Sequence, residues 1–156
     1  MINLNIYVLI GLTIAFLLGG IALAFTVSFW YALPLLIVGI ILLVVYVLFG
    51  SVNLAAKYIQ PGEFDEAEKK LKLTLKPDWL YVTQRAVYYI MQGAIAMNKK
   101  DTKTAETLFD KALGMDLPSD NEKVMILLQL ANINGSKGKW PAAKNYFREA
   151  KKLKIT

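Results

Sequence analysis

The chain contains no cysteine, no histidine and no charged side chain before Lys57. The first two absences remove thiolate nucleophiles, imidazole bases and the ordinary ligand set of a zinc site. The carboxylates that remain near one another, such as Asp65, Glu66 and Glu68, stand beside Lys69, Lys70 and Lys72. That spacing describes solvated i,i+4 pairs on a helix. The third absence divides the chain. All 18 basic and all 12 acidic residues fall within 57–156, so that part alone carries the net charge of +6. Apolar residues make up 56% of the whole, above the roughly 45–50% usual for a soluble domain.

The uncharged part holds two long apolar runs, about 6–25 and 29–49. A bilayer core takes roughly 20 apolar helical residues to cross, and lipid demands that backbone amides be bonded internally. Strand alternation is missing, so both runs read as helices. The connection Thr26-Val27-Ser28 is short enough for an antiparallel hairpin. Phe29, Trp30 and Tyr31 then sit at the turn, where aromatic rings favour the interface, and Pro34 falls near the start of the second span, where its missing N–H costs least. A buried core hairpin fits less well, because both runs are apolar all round. A cleaved signal sequence also fits less well: Ala22-Leu23-Ala24 offers small residues, but no Lys or Arg precedes the run. Gly11, Ala15 and Gly19 make a smooth stripe on the first span, suited to close helix packing in lipid. Its partner is the second span or a helix of another protein. Two spans put both ends on one side, and the basic part belongs in the cytoplasm. The expectation is an integral protein of a bacterial inner (cytoplasmic) membrane. Residues 1–50 form its hairpin and 51–156 a cytoplasmic domain. No polar linker separates them beyond Gly50-Ser51, so the domain is expected to sit close to the bilayer.

The charged part repeats itself at a step of 38 residues. GEFDEAEKKL (62–71), KDTKTAETLF (100–109) and GKWPAAKNYF (138–147) superimpose. Phe64, Thr102 and Trp140 coincide, as do Ala67, Ala105 and Ala143, then Leu71, Phe109 and Phe147, then Thr74, Ala112 and Ala150. Upstream, Ala55, Gly93 and Ala131 line up. Small residues at fixed places let paired helices touch, and pairs that cannot bury their apolar stripes alone must stack. The predicted helices are 52–60, 63–75, 79–98, 102–115, 121–136 and 141–153. Pro61-Gly62 stops the first, Gly138 marks the turn before the last, and Asp78, Asp101 and Asp120 are the expected N-caps.

These positions resemble the tetratricopeptide repeat (TPR). Gly93, Ala105, Phe109, Ala112 and Pro118 fit its pattern in the second unit; Leu130, Ala131, Ala143, Phe147 and Ala150 fit in the third; Leu54, Ala55, Tyr58, Ala67 and Leu71 fit in the first. The family's usual period is 34 residues, so each unit here carries four more, expected around 77–82 and 117–121. The implied fold is all-α: a two-helix transmembrane hairpin followed by a short TPR-like α-solenoid of about three helix pairs, with units near 51–76, 79–116 and 121–154. The resemblance also implies a partner-binding groove lined by Val87, Ile90, Ala94, Met97 and Asn98 of the second unit and Met125, Leu128, Asn132 and Ser136 of the third. Methionine suits an adaptable binding surface. The positions where some members grip a terminal carboxylate with basic residues hold Ile90 and Leu128.

"NINGSKGKW" (132–140) lacks the spacing of a phosphate-binding loop and follows a helix, so it reads as an inter-helix turn. The basic residues are interleaved with acids, and nucleic acid is not expected as a partner; a basic face against anionic lipid headgroups is the better use of the excess charge. The expected function is a non-enzymatic, membrane-anchored adaptor or scaffold that needs no cofactor or metal. Its partners are the lipid bilayer, a membrane-associated protein and, as a further candidate, a second copy of the chain. The alternative is a small accessory or assembly subunit of a membrane transporter or membrane enzyme complex, held mainly through its spans.

Overall fold

A computed structural model describes residues 6–26, 29–49, 52–74 and 76–153. Among them the protein is all-helical, with eight α-helices and no strand. In order they are α1 (Ile6–Thr26), α2 (Phe29–Phe49), α3 (Val52–Ile59), α4 (Phe64–Leu71), α5 (Val82–Asn98), α6 (Thr102–Leu113), α7 (Asp120–Ser136) and α8 (Trp140–Lys152). A short 3-10 turn, Pro77–Trp79, precedes α5. The expected span connection (Val27, Ser28) and the domain boundary at residues 50–51 lie outside the described residues.

α1 and α2 are each 21 residues long, long and apolar enough to cross a bilayer. Only 11% of either helix is buried within the protein, so the rest of the chain leaves their apolar surface bare. Their contact is reciprocal. A Cβ on Gly20 meets Leu36 at 2.8 Å, and one on Gly39 meets Leu17 at 2.8 Å. Each helix therefore seats a leucine over the other's glycine, in antiparallel register. The hydroxyls of Thr13 and Thr26 donate to the carbonyls of Leu9 and Ala22 at 2.8 Å, which satisfies them without water. Pro34 lies inside α2, in its second turn, where its lack of an N–H leaves the Trp30 carbonyl without a helical partner.

Beyond the spans the helices pack as neighbours: α3 on α4, α5 on α6, α7 on α8, with α5 against α3 and α4, and α7 against α6. One cluster joins Val52, Ala55, Ala67 and Leu71 to Met91 and Ile95 of α5. A second joins Ile90, Ala105 and Phe109 to Ile126, Leu130 and Ile133 of α7. A third joins Val124 and Leu127 to Ala150. Gly93 permits the closest approach, since a Cβ there would stand 2.7 Å from the Phe109 ring.

The 38-residue step of the sequence reappears in the backbone. α4, α6 and α8 begin at 64, 102 and 140; α5 and α7 share both bounds after the same shift. The turns between paired helices are also alike. Gly62, Lys100 and Gly138 have positive φ of 85°, 62° and 72°. Their N–H groups donate to the carbonyls of Ile59, Met97 and Gly135 at 3.0–3.1 Å, while those of Glu63, Asp101 and Lys139 donate to Tyr58, Ala96 and Asn134 at 2.9 Å. This pair of bonds around one left-handed residue is the Schellman helix stop.

Several boundaries differ from the sequence expectation. α5 begins at Val82, not 79, because Pro77 opens a separate 3-10 turn. Asp78 therefore lies in that turn and caps nothing. Asp101 does cap α6, accepting from the Thr104 N–H at 3.0 Å. Asp120 is the first residue of α7, and its cap is Ser119, which accepts from the Asn121 N–H and donates to the Glu122 carboxylate. That Ser-x-x-Glu arrangement is a capping box in outline. α4 ends at Leu71, before the expected 75, where residues 72–74 turn away from the helix.

Candidate functional site

The predicted groove residues occupy matching turns of α5 and α7, at the spacing that places them on one face of each helix. Their burial is unequal. Ile90 is 6% exposed and belongs to the core with Ile126, Leu130 and Ile133. Val87 and Met97 are half-buried against the first and second clusters. Ala94 is half-buried and Asn98 exposed. On α7 the corresponding stripe is open: Leu128 is 43% exposed and Met125 41%, with Asn132 and Ser136 exposed beyond them. The surface available to a partner is thus carried by α7, with Ala94 and Asn98 at its margin. The rest of the α5 stripe is divided: Val87 packs on the first cluster, with α3 and α4, while Ile90 and Met97 pack on the second, with α6 and α7.

Two ion pairs tie successive helix pairs together beside this surface. Lys99 follows α5 and reaches back to Glu68 of α4 at 2.6 Å; Lys137 follows α7 and reaches back to Glu106 of α6 at 2.6 Å. These pairs are also related by the 38-residue step. Hydrogen bonding to Lys99 and to Lys137 holds the Glu68 and Glu106 carboxyls below their ordinary range. The buried Asn134 amide donates to Glu106 at 3.1 Å and to the Leu130 carbonyl at 2.9 Å.

In the spans, Gly11 and Ala15 face away from α2: a Cβ on Gly11 meets nothing within 4 Å, and Ala15 is exposed. Gly19 makes only ordinary contact with Leu35 at 3.7 Å. The seam runs instead through Gly20 and Gly39, which the regular spacing of the stripe did not single out. The open small-residue face remains available to a helix outside the hairpin.

A further contact zone was not foreseen. The open end of the hairpin rests on the α4–α5 connection. The Tyr81 N–H donates to the Leu48 carbonyl at 2.7 Å, and the rings of Phe49 and Tyr81 stack with centroids 6.3 Å apart. The Tyr46 hydroxyl donates to the Leu73 carbonyl at 2.9 Å, and the Lys70 ammonium donates to the Tyr7 hydroxyl at 2.8 Å. Arg85 braces the 3-10 turn through the Asp78 carbonyl at 2.6 Å. The signal in the sequence was the aromatic pair in Lys-Pro-Asp-Trp-Leu-Tyr, placed where the extra residues of the repeat unit were expected.

Among the described residues, no group of three or more acidic, histidine or cysteine side chains could hold a metal. Comparison with protein-family models, with curated proteins and with solved structures finds no match to this chain.

Proposed function

We propose that the chain is a non-catalytic scaffold of a bacterial inner membrane. In this reading α1 and α2 cross the bilayer. Helices α3–α8 form a TPR-like solenoid of three pairs on the cytoplasmic side, and the open stripe of α7 receives a membrane-associated partner protein. The observation that carries the reading is the helix–turn–helix that recurs three times, with the same left-handed residue and the same two backbone bonds. It is joined to two helices whose apolar surface the rest of the protein leaves bare. Stacked units of this kind present extended surfaces instead of enclosed reaction chambers. The cytoplasmic orientation rests on the 18 basic residues of 57–156 and their absence from the span connection.

A second reading has its own support. The open face at Gly11 and Ala15 suits an accessory or assembly subunit held by a transporter or membrane enzyme through its spans. Photo-crosslinking in native membranes separates the two. A photoreactive residue replaces Leu128 in one full-length variant and Ala15 in another. The scaffold reading expects a discrete protein adduct at 128, abolished by Met125→Asp. Adducts at 15 alone favour the accessory subunit, and an adduct of doubled mass identifies a second copy as the partner. Silence at 128 with intact protein removes the groove from consideration.

A further inference from the structure

Trp79, Tyr81 and Val82 are large apolar side chains crowded onto one short connection, and they are 52%, 53% and 46% exposed. Soluble surfaces rarely cluster such residues without an occupant. Their position suggests which occupant. Helix α2 spans 21 residues, a length of about 31 Å at 1.5 Å per residue, which matches the hydrocarbon core of a bilayer. Its last residues therefore reach the interface. Tyr81 is bonded to Leu48 and stacked on Phe49, so it lies at the same level. Trp and Tyr are the side chains that favour that level, with an apolar ring and a polar edge. The Lys76 ammonium sits 4.8 Å from the centre of the Trp79 ring, and Lys70 is held at the Tyr7 hydroxyl of α1. Both place positive charge at the end of the hairpin. Asp78 is the one carboxylate of the connection, and Arg85 is bound to its backbone carbonyl.

We propose that the segment Lys76–Val82 is a lipid-contact site. Trp79, Tyr81 and Val82 embed at headgroup depth beside the end of α2, and Lys76 meets a lipid phosphate. The helical domain is thereby fixed to the membrane at a second point, in addition to the α2–α3 junction. This rests on the reading that α1 and α2 cross a bilayer.

The three tryptophans allow a direct test. Full-length protein carrying only Trp79 (Trp30→Phe, Trp140→Phe) is reconstituted into vesicles of phosphatidylcholine and phosphatidylglycerol. Parallel variants keep only Trp30, at the other end of the hairpin, or only Trp140, on α8. Circular dichroism verifies that helix content is retained. Lipids brominated high on the acyl chain are expected to quench Trp79 more than lipids brominated deep. Acrylamide is expected to quench Trp79 about threefold less than Trp140. Lys76→Glu in the Trp79-only protein is expected to weaken the lipid quenching. If Trp30 is quenched by brominated lipid while Trp79 is not, the contact site is wrong and the spanning helices stand. If neither is quenched, the membrane reading itself fails. Protection of Trp79 from acrylamide without quenching by lipid shows a protein surface covering it, and also overturns the proposal.

Discussion

Lys100 holds φ at 62° in the position that Gly62 and Gly138 occupy in the other two turns. A side chain in the left-handed region costs about 1–2 kcal/mol relative to glycine, part of which glycine returns through its freer unfolded chain. Lys100→Gly is therefore expected to raise stability by up to about 1 kcal/mol, read as a higher melting temperature in detergent; a lower one contradicts the turn described here. Gly93 presents the opposite case. Its α-carbon faces the ring of Phe109, which is 1% exposed and has no space to retreat. Gly93→Val is expected to cost about 1–3 kcal/mol through overpacking. Gly114→Ala, whose added carbon meets nothing nearer than 3.7 Å, serves as the tolerated control.

Between elements, the Glu106–Lys137 pair links α6 to the end of α7 with both side chains about three-quarters covered. The folded carboxyl has a lowered pKa, because Lys137 and Asn134 donate to its charged form. Its contribution is therefore present above its ordinary value of 4.5 and fades as pH falls through the depressed folded value. Glu106→Gln is expected to cost less than about 1 kcal/mol near neutral pH, after allowance for solvent screening. Melting curves of variant and parent should converge once the pH falls well below 4.5. A gap that persists in strong acid assigns the effect to packing. The helices themselves were largely legible. Hydropathy placed the spans at 6–25 and 29–49, within a residue of α1 and α2, because uninterrupted apolar composition is a local property. The start of α5 was not legible: a 3-10 turn and the bond from Tyr81 to Leu48 intervene, and that partner is distant in sequence.

For the whole molecule, the absence of cysteine makes topology directly measurable. Single cysteines at Asp116, exposed on the α6–α7 connection, and at Tyr31, exposed at the far end of the hairpin, report opposite sides of a membrane. An impermeant maleimide added to intact spheroplasts is expected to label Tyr31→Cys and spare Asp116→Cys; in inverted vesicles the pattern should reverse. Labelling of both positions on one side excludes a spanning hairpin, and reversal of the sides places the basic domain outside the cytoplasm.

The sequence by itself determined which stretches become helical and that one unit recurs, while the end of α4 and the start of α5 lay beyond it. Helix stops at Gly62 and Gly138, the cap at Asp101 and the apolar length of the spans all act over a few residues. Tertiary structure decided which of those residues remain available. Ile90 and Leu128 hold the same place in successive units, yet one is core and the other surface, since Ile90 packs into the cluster that α5 shares with α6 and α7. Gly11 and Gly20 are both span glycines, yet only Gly20 receives a leucine from α2. Burial depends on what packs opposite a residue, and that partner is chosen by the register of whole helices.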